Sequence, residues 1–197
     1  MRQFSFLSKK WLHTFGVFIC LFLFNSRGVA QTFCPSNLDF EAGTIALWEC
    51  FTGVCCPIST PVATPPVFNR HTITSGLGTD KYGGFPTVAP GGAFSLRLGN
   101  DLIGAQAEKV RYYVHVPPSS ARFILVYRYA VVFEDPGHPP ADQPRFEVNL
   151  YDSATGVSLP CGYVSYVSSS GLPGFSKSAL IGTGGAPVYY RTWDSAS

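Results

Sequence analysis

Glycine and proline interrupt this chain too often for a helix of ordinary length. Twenty Gly and sixteen Pro are spread over 197 residues. Inside a helix each costs about 1 (Gly) or about 3 kcal/mol (Pro) relative to Ala. What survives between the interruptions has a period of two. Phe94, Leu96 and Leu98 alternate with Ser95 and Arg97. Val110, Tyr112, Val114 and Val116 alternate with Arg111, Tyr113 and His115. Phe146, Val148 and Leu150 alternate with Glu147, Asn149 and Tyr151. Each pattern is a strand with one buried face. Arg122–Glu134 is apolar on both faces apart from Arg128, which predicts a long central strand covered on both sides. Further strands are expected at Asn37–Glu41, Leu47–Phe51, His71–Thr74, Gly162–Ser168 and Val188–Trp193. The segments 57–66, 75–92 and 135–144 are Gly- or Pro-rich loops. Many short strands between such turns predict an all-β, sandwich-type fold.

Composition narrows the class further. The chain is 46% hydrophobic and 15% aromatic, enough to bury a core. Four of its fourteen basic residues (Arg2, Lys9, Lys10, Arg27) lie in the first thirty positions, and all twelve acids come later. Residues 31–197 thus hold ten basic against twelve acidic residues, a net of −2, and no basic stripe for a nucleic acid.

The first thirty residues have the order of a secretory signal. The basic start is followed by the apolar run Phe15–Phe24, then by Gly28 and Ala30 at the −3 and −1 positions before Gln31. Ten helical residues span about 15 Å, half of a ~30 Å hydrocarbon core, so the run is too short for a membrane anchor. Cleavage would leave a single β-sandwich domain over residues 31–197, extracellular or at the cell surface, with no membrane span.

Five cysteines remain after residue 31: Cys34, Cys50, Cys55, Cys56 and Cys161. An oxidising compartment favours bridges. Cys34 and Cys50 flank the first strand-like segment and are the first expected pair. Cys161 is expected to be the odd thiol.

The longer motifs resemble a known family. They are Cys34-Pro-Ser-Asn-Leu-Asp-Phe-Glu-Ala-Gly, Trp48-Glu-Cys-Phe-Thr-Gly, Arg70-His-Thr-Ile-Thr-Ser-Gly, the run from Tyr82 to Asp101, Gly104-Ala-Gln-Ala-Glu-Lys-Val-Arg-Tyr, the run from Tyr127 to His138, and Gln143-Pro-Arg-Phe. In this order they resemble the amino-terminal jelly-roll region of large Bacteroidetes surface proteins. Those proteins carry PKD-type repeats and a gliding-motility-associated carboxy-terminal sorting domain for type IX secretion. The resemblance implies a jelly-roll-like β-sandwich in an exported, adhesin-like protein that continues into further domains. A further strand pair with another Cys follows the Trp193 region in the family, so the resemblance implies a fragment, incomplete at its carboxy terminus. Asp39-Phe40-Glu41 with Gly43 and Trp48 is also similar to the opening of carbohydrate-binding jelly rolls and MAM-like adhesion domains.

Candidate sites follow from both sources. Carbohydrate-binding jelly rolls place a structural calcium ion near the position of Asp39 and Glu41, whose carboxylates would share one strand face. Calcium is the one cofactor this suggests, and a solvated strand end is the plain alternative. Tyr113, Tyr151, Tyr163 and Tyr166 offer rings for stacking sugars, with Asn149 and Glu147 to read hydroxyls. Tyrosine is also common on strands for packing reasons alone. Glu134, Asp135, His138 and Asp142 gather at one Pro-rich loop, as a polar ligand site or as a rigid loop. A buried Arg128 would need a carboxylate such as Glu108, Glu134 or Asp101.

No nucleophile elbow, phosphate-cradling loop or His-Glu-x-x-His motif occurs. The expectation is a non-catalytic binding or adhesion module whose partner is an extracellular glycan or another surface ligand. A carbohydrate-binding accessory module of a secreted hydrolase and a purely structural cap are the alternatives.

Overall fold

The computed structural model describes residues 35–55, 59, 61–116 and 124–197. The expected secretory signal, Cys34, Cys56 and the Arg122–Phe123 start of the expected long strand lie outside the described residues. The fold is all-β: among the described residues there is no helix, hence none long and apolar enough to cross a membrane. The strands are β1 (Glu49–Val54), β2 (Val62–Thr64), β3 (His71–Ser75), β4 (Phe94–Leu98), β5 (Gln106–Arg111), β6 (Tyr127–Glu134), β7 (Arg145–Tyr151), β8 (Ser158–Val167), β9 (Ser176–Ile181) and β10 (Pro187–Ala196). They form sheets ordered β2-β1-β5 and β6-β10-β9 and the pairs β3-β4 and β7-β8. Every pairing is antiparallel.

β7 matches its sequence pattern. Phe146, Val148 and Leu150 are half-buried, while Glu147, Asn149 and Tyr151 face solvent. In β4 Phe94 and Leu96 are half-buried and Arg97 is exposed, as expected, but two positions depart from the pattern. Ser95 is its most buried residue, and Leu98 is exposed. The Ser95 hydroxyl accepts the Ala89 N–H at 2.9 Å, and the Ser95 carbonyl accepts from Thr74 Oγ1 at 3.0 Å. The loop before β4 therefore covers the polar side of the strand. After β5 the alternation continues, with Tyr112 and Val114 half-buried and Tyr113 and His115 exposed, but outside the ladder.

Three expectations are corrected. The expected strand at Asn37–Glu41 is a series of turns, with positive φ at Asn37 (55°) and Phe40 (65°). The Asn37 side chain builds it, donating to Thr44 O and Ala46 O and accepting from Ala42 N. The long strand begins only at Tyr127, and Ile124 and Val126 are exposed. It is an edge of its sheet rather than the centre, because among the described residues it pairs with β10 alone. Arg128 is exposed and donates to Pro90 O rather than to a carboxylate.

The main core lies over one face of β6. Tyr129, Val131 and Phe133 are buried there, packed by Phe146 of β7, Val164 and Tyr166 of β8, and Phe175. Tyr129 stacks on Phe146 at 5.5 Å between centroids, and Phe133 on Phe175 at 5.8 Å. The β7–β8 hairpin thus covers the β6-β10-β9 sheet, two layers facing each other as in a β-sandwich. Each apolar side chain so buried contributes roughly 1.5–3 kcal/mol.

The cysteines differ from expectation at one point. Cys50 is a free, buried thiol, so the expected bridge to Cys34 is not formed. It sits inside β1, between Thr64 of β2 and Val110 of β5, where the sheet itself encloses it. Cys55 is disulfide-bonded to a partner outside the described residues. Cys161 is free and exposed, as expected of the odd thiol.

Candidate functional site

The register of β1 against β5 places Glu49 opposite Arg111 and Phe51 opposite Lys109. Residues two apart share a face, so these four side chains form one surface. The guanidinium of Arg111 lies 5.0 Å from the Phe51 ring centroid, and the Lys109 ammonium lies 5.2 Å from it. Phe51 is buried beneath these two cations. The same guanidinium lies 5.0 Å from the ring of Tyr113, which is 56% exposed. Arg111 also donates from Nη2 and Nε to Glu49 Oε2, at 2.6 and 2.7 Å. Both members of that ion pair are about half exposed, so it contributes at most about 1 kcal/mol to stability. Two rings and a carboxylate nonetheless fix the plane of the guanidinium. The result is a flat strip on which an aromatic ring, a planar cation and a carboxylate stand side by side.

The other side of β1 is anchored by Trp48. Its indole stacks on Phe40 at 4.6 Å and meets Tyr112 at 5.1 Å. Trp48 Nε1 donates to Asn37 O at 2.9 Å, and Tyr112 Oη donates to Ser36 O at 2.8 Å. Beside Trp48 two open grooves adjoin. One, of about 440 Å³, is lined by Ile45, Leu47, Trp48, Pro66, His71 and Ile73. The other, of about 480 Å³, runs from Trp48 past Thr64 and Pro66 to Glu49 and Arg111. Buried His71 forms a wall of the first. Its Nδ1 accepts the Val67 N–H at 3.2 Å, so Nε2 carries the hydrogen that reaches Phe51 O at 3.1 Å.

The residues singled out from sequence are scattered across the structure. Tyr113 belongs to the strip. Glu147, Asn149 and Tyr151 line the exposed face of β7, with Tyr163 exposed on β8. Asn149 accepts from Ser158 Oγ at 3.3 Å, and Glu147 lies 3.9 Å from Arg145. Tyr166 is drawn into the core, where its hydroxyl meets that of Tyr129 at 3.0 Å and its ring meets Phe175 edge-on. Among the described residues no ring contact joins Tyr113 to Tyr151 or Tyr163.

Asp39 and Glu41 lie on turns rather than on one strand face. Asp39 Oδ1 accepts the Glu41 N–H at 3.2 Å. Both oxygens of Glu41 accept the Ala93 N–H, at 3.1 and 2.9 Å, tying the first turn to the start of β4. Among the described residues no group of three His, Cys, Asp or Glu side chains converges as metal ligands would. At the Pro-rich loop, Glu134 accepts the Ala186 N–H at 3.0 Å and Asp135 accepts from Gln143 Nε2 at 2.8 Å. These carboxylates brace backbone and loop.

Sequence reasoning missed Glu49, Lys109 and Arg111. The alternation of Lys109, Arg111 and Tyr113 was visible, but which residues of β1 they would face was not.

Comparison with protein families, with characterised proteins and with solved structures returns no match.

Proposed function

We propose that this chain is an exported, non-catalytic binding module of a bacterial surface protein, and that it holds an extracellular glycan on the strip formed by Tyr113, Arg111 and Glu49. The observation that carries this reading is the guanidinium of Arg111 held between the rings of Phe51 and Tyr113 and bonded to Glu49. Sugar rings present apolar C–H faces, which stack on an exposed aromatic ring. Their hydroxyls are read by charged groups of both signs held in fixed orientation. The secretory order of the first thirty residues and the resemblance to jelly-roll regions of Bacteroidetes surface proteins support the same location and role. A place as accessory module of a secreted hydrolase would use the same strip.

Glycan-array screening of the secreted protein, with and without added calcium, tests the proposal. Binding lost in both Tyr113→Ala and Arg111→Ala is the expected result. Glycan binding unchanged in these two variants moves the site elsewhere, and the β7 face of Asn149 and Tyr151 is the place to look. Binding seen only with calcium would return the site to the Asp39 turn.

A further inference from the structure

The strip carries more positive than negative charge, and that imbalance points to a ligand class. We infer that the glycan bound there is acidic, a polysaccharide bearing carboxylates such as a polyuronate, with Arg111 and Lys109 as the residues that select it. The inference rests on the glycan-binding reading and narrows it.

Three charged side chains share this face of β1 and β5: Glu49, Lys109 and Arg111. Glu49 is bonded to Arg111. Lys109 forms no ion pair among the described residues, and its ammonium lies over Phe51. One positive charge is therefore left over, in a chain whose residues 31–197 carry a net −2. The excess is local and is not part of a protein-wide field.

The geometry suits a carboxylate in particular. Arginine presents a planar fork that matches a carboxylate with two parallel hydrogen bonds. Here the fork is already oriented by two rings, so little conformational freedom remains to be lost on binding. The Glu49–Arg111 pair is about half exposed on both sides and therefore weak. An incoming carboxylate exchanges with Glu49 at small net cost. Lys109 and Arg111 stand two residues apart on one strand, about 7 Å along its axis, so the two cations address successive acidic groups of a polymer. The exposed Tyr113 ring takes the apolar face of a sugar beside them.

Affinity measurements with polygalacturonate, its fully methyl-esterified form and polyglutamate test the inference. Esterification keeps the sugars and removes their charge, and polyglutamate keeps carboxylates without sugar. The expected result is binding of polygalacturonate at least tenfold tighter than of the ester or of polyglutamate. Arg111→Ala should lose tenfold or more and Lys109→Ala about threefold, with the far-UV circular dichroism of both unchanged. Lys109→Ala leaves the Glu49 ion pair in place and so reads the charge separately from the fold. Equal binding of the ester, or parental affinity in both variants, overturns acidic selectivity and leaves a neutral glycan as ligand. Equal binding of polyglutamate overturns recognition of a sugar on this strip. Absence of binding to every glycan, charged or neutral, overturns both this inference and the glycan reading beneath it.

Discussion

Arg70 and Glu108 are joined at 2.5 Å in a largely buried ion pair. Nη2 of the same guanidinium donates to Gly53 O of β1 at 3.2 Å and to Ala107 O of β5 at 3.0 Å. A residue preceding β3 is thereby fastened to both β1 and β5. Removing one partner of a buried pair leaves the other charge uncompensated, at a cost of about 3–5 kcal/mol. Glu108→Ala is expected to lower stability by about 3 kcal/mol in urea unfolding. A loss below about 1 kcal/mol would show that the pair is solvated in the native state.

Tyr129 sets a second expectation, in alkali. Burial, and then the hydrogen bond with Tyr166, hold its phenol far above the ordinary tyrosine range. The unfolded phenol ionises near pH 10. Above that pH the folded state keeps a proton that the unfolded state releases, so unfolding is favoured as pH rises. The contribution of Tyr129 to stability should be constant up to about pH 9 and be lost progressively beyond about pH 10. Tyr129→Phe should show a shallower fall, with about 1 kcal/mol lost at neutral pH from the broken hydrogen bond. Identical alkaline slopes for the two proteins would assign the fall to other groups.

The two thiols that are free among the described residues differ in exposure. Burial pushes the Cys50 thiol up, away from the reactive thiolate, whereas Cys161 is exposed. Under native conditions an alkylating reagent is expected to label Cys161 within minutes and Cys50 only after unfolding. Mass spectrometry of the labelled peptides checks this, and equal labelling rates would contradict the burial of β1.

Glu134 has a structural task that a comparison removing the charge but keeping the acceptor can isolate. Its carboxylate accepts the Ala186 N–H at the turn between β9 and β10. Glu134→Ala should cost about 1 kcal/mol, the usual net worth of one such bond. Glu134→Gln keeps an acceptor and should cost less than half of that. Calorimetric midpoints of the two variants decide it, and equal losses would mean that charge, not acceptance, is what the turn requires.

Sequence alone determined the strand character of this protein, because side-chain alternation is a local property. β3, β7 and β10 can be read from a few consecutive residues each, and His71 and Val188 indeed begin or nearly begin the strands expected of them. Positive φ at Asn37 and Phe40 escaped the pattern, since Asp39 and Glu41 alternate correctly whether or not the backbone is extended. Tyr166 looked like its exposed neighbour Tyr163 until Tyr129 and Phe175 were brought to it from other elements. The strip depends on register: Glu49 and Arg111 are 62 residues apart and meet only because β1 pairs with β5. The local backbone sterics and turn chemistry of a sequence decide that strands form. Which strands pair, and hence which charges and rings share a face, is set by non-local packing that no short window contains.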